Sequence, residues 1–335
     1  MNTFFQGATP SRRHLLRLLA LTAGSWGLSA PLGWGLVRAQ ASINTKAPEV
    51  LRIGYQKSAV NLVILKQQGV LEKRLRNTRV SWVEFPAGPQ LLEALSVGSL
   101  EFGLTGDTPP VFAQAAGKDL FYVGAEPAKP ESSAILALQS SGVKTLADLK
   151  GRKVAVQKGS SAHYLLLRAL EKASLAWSDI QPIYLTPADA RAAFERGSVD
   201  AWAIWDPFYA ATELTLPVRV LTTGVGLSSN NSFYLASSAL AQQYPHIVAL
   251  LFDELTRADQ FVQNRRSEAI QLIAEFSGLD AGVVALFLKR RPRSPTTELT
   301  PETVHDQQRV ADAFARLALI PKPIKVDDIV WHAPR

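Results

Sequence analysis

Two kinds of hydrophobic spacing alternate along the chain from residue 50 onward. Val50 to Tyr55 and Lys153 to Gln157 are short apolar runs that end at polar or glycine residues, as strands buried in a parallel sheet do. Each is followed by a stretch with apolar residues three and four apart, Asn61–Lys73 and His163–Lys172, which predicts a helix. Thr186-Pro187-Ala188-Asp189 opens another helix, with Thr as N-cap, Pro in the first turn and an acid three residues on. Gly98 and Gly197 stop helices, because the left-handed residue that ends a helix suits glycine. The tail is helical in pattern: Ile247–Val262, Ser267–Glu275, Ala281–Leu288 and Pro301–Leu319. Alternating strands and helices predict an α/β fold with mostly parallel sheets.

The chain also repeats its own plan. Residues 94–107, from Ala94 through Gly98-Ser99-Leu100-Glu101 to Asp107, line up with residues 193–206, from Ala193 through Gly197-Ser198-Val199-Asp200 to Asp206, ninety-nine residues on. Helix end, Gly-Ser, aliphatic, acid, strand and aspartate fall at the same positions. Ile53-Gly54-Tyr55-Gln56-Lys57-Ser58 resembles Ala155-Val156-Gln157-Lys158-Gly159-Ser160 at nearly the same offset. A plan used twice predicts two similar lobes. Phe121 to Gln139 carries the chain from the first lobe to the second, and the residues around Ser228 to Tyr234 bring it back. The expected divisions are 42–135 for the first part of lobe 1, 136–231 for lobe 2, and 232–335 for the return to lobe 1 with its bracing helices.

Composition adjusts this picture mainly at the N-terminus. The 335 residues are 47% hydrophobic and 19% charged, enough apolar surface for a sizeable core. Arg12, Arg13, Arg17 and Arg38 account for four of the net +7, and residues 1–41 contain no acid. Ser11 to Arg17 precedes an uncharged run from Leu18 to Val37, and Ala39-Gln40-Ala41 offers small residues to a peptidase. That pattern is a secretory signal, 1–41, resembling the twin-arginine type although Leu15 and Arg17 stand where Phe and Lys are usual. The same run is just long enough to be a retained membrane anchor, but Gly, Ala, Ser and Pro31 make it only moderately apolar. The remaining +3 is scattered and has no aromatic-interleaved basic stripe, so no nucleic acid is expected as a partner. Cysteine is absent, which excludes disulfides, Cys-ligated metals, thiol catalysis and a lipoprotein anchor.

Ligands of open α/β sheets bind beyond the carboxyl ends of the strands. Four such ends are legible: Gln56-Lys57-Ser58, Thr105-Gly106-Asp107, Lys158-Gly159-Ser160-Ser161 and Trp205-Asp206. Two run straight into helices, whose free N–H groups, with small residues allowing close approach, suit an oxyanion. Ser160 and Ser161 add hydroxyls, and Gln56 adds an amide. Each candidate has a plainer role open to it. Ser160 or Ser161 serves equally as an N-cap. Asp107 and Asp206 repel an anion and precede prolines, which suits helix capping; Asp206 alternatively holds a cationic group on a zwitterionic ligand. Trp202 and Trp205 are placed on one strand face, where core packing accounts for them as well as ligand contact does. Lys57 and Lys158 read as solvated rim charges, and His163 as a surface or packing residue.

No catalytic set emerges. Ser160 or Ser161 and His163 are too close on one helix start for proton transfer, and no Gly-x-Ser-x-Gly elbow surrounds the serine. His-Glu-x-x-His, the Walker loop and the dinucleotide fingerprint are missing, and five scattered His make a histidine-rich metal site unexpected. The expectation is a binding protein with no cofactor and no metal; an exported enzyme of the same fold is the alternative from another class.

Leu51-Arg52-Ile53-Gly54-Tyr55-Gln56-Lys57, Trp82 to Gln90, Thr105-Gly106-Asp107-Thr108-Pro109-Pro110, Gln157-Lys158-Gly159-Ser160-Ser161, and the run from Tyr184 to Pro207 resemble the aliphatic sulfonate-binding components of ABC transporters. The likeness covers nearly all of the chain after residue 41. It implies a two-lobed periplasmic binding protein fold of type II, with two chain crossings and closure on the ligand as a clamshell. It implies an alkanesulfonate ligand, or taurine or a similar sulfur-containing anion, handed to a permease and ATPase in the inner membrane. By the same likeness the sulfonate lies among Gln56, Gly106, the Asp107 backbone, Ser160 and Ser161, with Trp205 and Pro86 to Gly88 near the organic tail; Thr105 and Asp206, at the strand ends, complete the set of candidate ligand-binding residues. The expected assembly is a monomer.

Overall fold

A computed structural model describes residues 47–334, so the predicted signal segment lies outside the described residues. The first strand-and-helix series is β1 (Val50–Tyr55), α1 (Val60–Gln68), α2 (Val70–Arg74), β2 (Arg79–Glu84), α3 (Gly88–Ser96), β3 (Phe102–Gly106), α4 (Thr108–Ala115) and β4 (Phe121–Glu126). The second is β5 (Ser133–Leu138), β6 (Lys153–Val156), α5 (Ser161–Lys172), β7 (Gln181–Tyr184), α6 (Pro187–Glu195), β8 (Ala201–Trp205), α7 (Phe208–Thr215) and β9 (Val218–Thr223). The chain then returns through β10 (Ser232–Ala236) to α8 (Ser238–Gln243), α9 (Pro245–Asn264), α10 (Arg266–Ser277), α11 (Ala281–Arg290) and α12 (Pro301–Arg316).

Two five-stranded sheets result, ordered β2-β1-β3-β10-β4 and β7-β6-β8-β5-β9. In each, the strand that follows a crossing, β10 or β5, is inserted antiparallel to both neighbours, while β1 pairs in parallel with β2 and β3, and β6 with β7 and β8. The sheets are therefore mixed, with one reversed strand each.

The sequence repeat has a physical basis. Gly98 and Gly197 take φ of 73° and 68° to end α3 and α6. Ser99 and Ser198 then bond back to Ala94 and Ala193, and Leu100 and Val199 enter the cores. The acids close the unit. Glu101 and Asp200 accept the backbone N–H of Arg52 and Lys153 at 2.6 and 2.8 Å, and return their own N–H groups to the same residues' carbonyls. Gly-Ser-aliphatic-acid thus ties β3 to β1 in one sheet and β8 to β6 in the other.

Differences from expectation are local. The predicted helix Asn61–Lys73 breaks at Gly69, which adopts φ of 58° and caps α1. The last tail helix ends at Arg316 rather than Leu319. Trp202 and Trp205 do not share a face: three positions apart on a strand, they point to opposite sides. Trp202 is fully buried against Phe194, whereas Trp205 faces the gap between the sheets.

The tail helices α9 to α11 cover one face of the first sheet, with Leu251, Leu255 and Val284 against Ile53 and Leu62. On the other face α12 packs Phe314 beside Leu92, Val111 and Phe233. His163, in the first turn of α5, is wholly buried between the two halves of the molecule. Its ring lies against Phe112 and Phe314 on one side and Trp177 and Tyr184 on the other. Nδ1 accepts the Gly159 N–H at 3.2 Å. Burial, aided by the charge of Lys158, pushes the imidazole down to about 4. The unfolded chain then binds a proton between roughly pH 6.5 and 4 that the folded chain refuses, so stability falls as pH drops through that window. His163's share of that loss is about 3 kcal/mol, read by urea denaturation as the difference in pH dependence between the wild type and a variant without the imidazole, because Asp206, raised to about 7, changes stability in the opposite sense over the same range. A His163→Asn variant, which keeps an acceptor for Gly159, should lose most of that slope; an unchanged slope would assign it elsewhere.

Candidate functional site

The carboxyl ends of β1, β3, β6 and β8 meet across the gap between the sheets, and both crossings line the same space. Gln56, Ser58, Thr105 and Gly106 come from the first sheet, Ser160, Ser161, Trp205 and Asp206 from the second, and Lys129, Ser132, Asn230 and Ser232 from the crossings. Leu104, Gly88, Pro109 and Phe287 give the walls an apolar portion, and Arg291 completes them. The cavity is about 60 Å³, where one water needs only ~10–15 Å³.

Gly106 and Ser161 approach each other closely across the gap. A Cβ at Gly106 would stand 2.0 Å from the Ser161 hydroxyl and 3.2 Å from its Cβ, so a side chain there would turn the hydroxyl away from the gap and press on the start of α5. Gly88 is confined in the same way, with the Pro109 ring 2.5 Å from where its Cβ would be.

The two serines divide their roles. Ser160 is the N-cap of α5: its hydroxyl accepts the His163 N–H at 3.3 Å and donates to the Gln157 carbonyl at 2.8 Å, so its donor is spent within the loop. The amides of Ser161 and Ala162 begin the helix and have no intrahelical acceptor, which leaves them for an anion. At α4 the supply is poorer, because Pro109 and Pro110 carry no N–H. One Gln56 N–H donates to the Leu104 carbonyl at 3.1 Å, which fixes the side chain in the wall.

Charge in the site is balanced and buried. Lys129 donates from Nζ to Ser232 at 2.7 Å and to Glu126 at 3.2 Å, joining the two crossings. Glu126 also accepts from Tyr234 at 2.8 Å and Asn61 at 3.2 Å, while Arg291 bonds Asp259 at 2.7 Å and Asn61 at 2.9 Å. Burial pushes the Glu126 carboxyl up, but Lys129 and Arg291 outweigh it and hold the group below its ordinary value. Burial also pushes the Lys129 ammonium down, against the pull of Glu126. Two cations thus line the cavity with their carboxylates directly behind them.

The two aspartates differ. Asp206 accepts the Ala210 N–H at 2.9 Å, the capping expected of it, and also meets the Arg290 guanidinium at 3.1 Å. Burial drives it up to about 7 against the pull of Arg290. Asp107 makes no side-chain cap bond; it accepts the Thr108 hydroxyl at 2.9 Å, and burial raises it against the Ser161 and Thr108 hydroxyls.

Of the candidates read from sequence, Gln56, Gly88, Thr105, Gly106, Ser160, Ser161, Trp205 and Asp206 share the cavity. Pro86 is exposed and does not line it. Asp107 lines a second, more open cavity of about 570 Å³ formed with Tyr164, Arg168, Arg309 and Arg316. Lys57 donates to the Ser277 carbonyl at 3.0 Å, and Lys158 is exposed over the Tyr184 ring. Sequence reasoning missed Lys129, Ser132, Phe287 and Arg291. The first two stand in a crossing, which must pass the strand ends, so any polar residue there was a candidate by topology. Among the described residues no cluster of His, Cys, Asp and Glu could hold a metal.

Two sheets of this topology facing each other across a polar cavity define the periplasmic binding protein fold. The periplasmic aliphatic sulphonate binding protein SsuA from Escherichia coli superposes with a TM-score of 0.79 at 50% identity, over 86% of this chain and 94% of that one. The alkanesulfonate-binding protein SsuA from Xanthomonas axonopodis pv. citri, bound to MOPS, gives 0.83 at 48% identity over 85% and 99%. A relative from Escherichia coli (strain K12), provisionally named an aliphatic sulfonates-binding protein, is 50% identical over 85% of this chain and 90% of its own. The chain matches the family model described as NMT1/THI5 like over residues 80–269, and it belongs to that family.

The buried network makes Lys129 a structural residue as well as a wall of the site. Replacing it with Met removes the nearest cation from Glu126, and breaking a buried pair from one side costs about 3 kcal/mol or more. Urea denaturation of Lys129→Met is expected to show that loss, and a change under about 0.5 kcal/mol, the scale of an ordinary surface substitution, would refute the role.

Proposed function

We propose that the protein is the substrate-binding component of an ABC importer, capturing aliphatic sulfonates in the periplasm and delivering them to the membrane permease and its ATPase. The observation that carries the reading is the Gly106–Ser161 approach: strand ends from both sheets close on a small cavity with free amides on one side and an apolar wall on the other. The 50% identity to sulfonate-binding proteins along most of the chain supports the ligand class. Export by the signal at 1–41 delivers the chain, as a monomer, to that compartment. The lobes divide as 42–135 with 232–335, and 136–231.

In this reading the sulfonate oxygens take hydrogen bonds from the Ser161 and Ala162 amides, the free N–H of Gln56 and the Lys129 ammonium. A monoanion suits walls whose cations are already matched by Glu126 and Asp259. A sulfate would bring a second charge with nothing to meet it. The tail lies against Trp205, Leu104, Pro109 and Phe287. Capture needs no chemistry: the ligand binds the closed form better than the open one, and that difference shifts the population. The closed form then offers the permease a surface built from both lobes.

Titration calorimetry on residues 42–335, after stripping any bound ligand by unfolding and refolding, tests this. Short alkanesulfonates should bind one-to-one, with sulfate and matched carboxylates at least ~30-fold weaker, the cost of about 2 kcal/mol for an unmatched polar group. Gly106→Ala should fold normally yet lose at least ~100-fold in affinity, since an added Cβ displaces Ser161. No binding of any sulfonate would overturn the reading.

A further inference from the structure

His163 stands where the two halves of the molecule meet, in the first turn of the helix whose amides face the cavity. From the first half, Phe112 of α4 and Phe314 of α12 cover its ring, with centroids 6.4 and 5.1 Å away. From the second, Trp177, in the turn before β7, and Tyr184 lie at 4.9 and 5.9 Å. Nδ1 accepts the Gly159 N–H at 3.2 Å, so the imidazole holds the Gln157–Ser160 turn from inside. Gly159 takes φ of 72° and lies against the Phe112 ring, where a Cβ would stand 3.5 Å from it. One ring thus touches both halves and fixes the turn that leads into the Ser161 and Ala162 amides.

The hydrogen bond also decides where protons can go. With Nδ1 accepting, the neutral ring carries its proton at Nε2, which is buried without a partner. A second proton has only Nδ1 to take it, and there it meets the Gly159 N–H donor to donor. The surroundings offer no compensation. Phe112, Phe314 and Trp177 carry no charge, burial raises the Tyr184 hydroxyl further above neutral, and the charge of Lys158 opposes a cation.

We infer that His163 is a positioning residue for the anion-binding turn and makes sulfonate capture proton-linked: a proton on its ring breaks the bond to Gly159 and parts the two halves, so the ligand is released in acid. The inference rests on the sulfonate reading above, which supplies the probe, and it concerns what governs affinity at that site. With the halves together, burial holds the imidazole at about 4. Once Phe112 and Phe314 withdraw, water enters past Tyr184, 42% exposed at the edge of the stack, and the ring returns toward 6.5. Between those values the open form takes a proton that the closed form refuses, so binding must expel it. Affinity is therefore complete above the open-form value and is lost as pH falls toward the closed-form one. The acid sensitivity described for the fold belongs to the halves packed together; parting them is the escape open to a chain that stays folded. Asp206 acts in the opposite sense, because burial in the closed cleft raises it to about 7. The contribution of His163 is thus read as a difference between the wild type and a variant.

Ethanesulfonate is the probe, since a sulfonate keeps its charge throughout this range. Calorimetry at pH 7.5 and 5.5 compares the wild type with His163→Asn, which keeps an acceptor for Gly159 but takes no proton, and with His163→Phe, which keeps the stack but not the acceptor. Between the two pH values the wild type should lose ~10-fold more affinity than His163→Asn, the linkage of one group that moves between 6.5 and about 4. His163→Phe should share the profile of His163→Asn yet bind ~5-fold more weakly than it at pH 7.5, the share of one hydrogen bond. In NMR titrations of the wild type, the imidazole signal that His163→Asn lacks should titrate near 6.5 without ligand and well below that with it. Should neither variant fold, the imidazoles of residues 42–335 still decide the matter, because one of them must shift its titration when ethanesulfonate binds. A wild-type profile matching that of His163→Asn within ~2-fold, too small for a titrating group of this linkage, overturns the inference, as does a set of imidazoles whose titrations ignore the ligand. If ethanesulfonate does not bind the wild type at either pH, the sulfonate reading falls and takes this inference with it.

Discussion

The cleft depends on a contact that only a residue without a side chain permits. Gly106 ends β3 in one sheet, Ser161 opens the helix after β6 in the other, and an added Cβ would stand 2.0 Å from the serine oxygen. Because that approach is possible, four strand ends and two crossings can share a cavity of about 60 Å³ rather than face each other across open solvent. Ser160 spends its hydroxyl on the helix start and thereby leaves the next two amides pointing at the gap. Sheet topology supplies the rest: the reversed strand in each sheet, β5 or β10, places both crossings beside the same strand ends.

The crossings do electrostatic work as well as connecting. Lys129 ties one crossing to the other through Ser232 and to β4 through Glu126, while Asn230 donates to the Lys129 carbonyl at 3.1 Å. Arg291 extends the network to Asp259 in α9. Buried charges are tolerable only when paired and hydrogen-bonded, and here each cation has its carboxylate behind it. The cavity can therefore present donors to an anion without carrying a large net charge when empty. The crossings between the sheets and the wall of the site thus share the same residues.

Much of this was legible before any coordinates. Periodicity marked the strands and helices within a few residues, and the Gly-Ser-aliphatic-acid repeat announced two sheets on one plan. Its reason became visible only in three dimensions, in the way Glu101 and Asp200 bind the backbone of Arg52 in β1 and Lys153 in β6. Strand-end residues such as Gln56, Gly106 and Ser161 were found because parallel sheets bind ligands at that edge. Lys129 and Arg291 were missed for an equally physical reason. A cation among polar residues looks solvated in a sequence, and only packing shows that its neighbours are buried acids. Trp202 and Trp205 were wrongly placed on one face, since three positions is an odd number on a two-residue period. Gly69 broke a helix that periodicity alone ran through.

The central claim is that an organic sulfonate is held where Gly106 and Ser161 meet. A crystal structure of the chain grown with ethanesulfonate tests it most directly. The account predicts sulfonate oxygens within hydrogen-bond distance of the Ser161 and Ala162 amides, Gln56 and Lys129, with the ethyl group toward Trp205 and Phe287. Density for the sulfonate in the larger cavity beside Arg168 and Arg309, with the strand-end cavity empty, would contradict it.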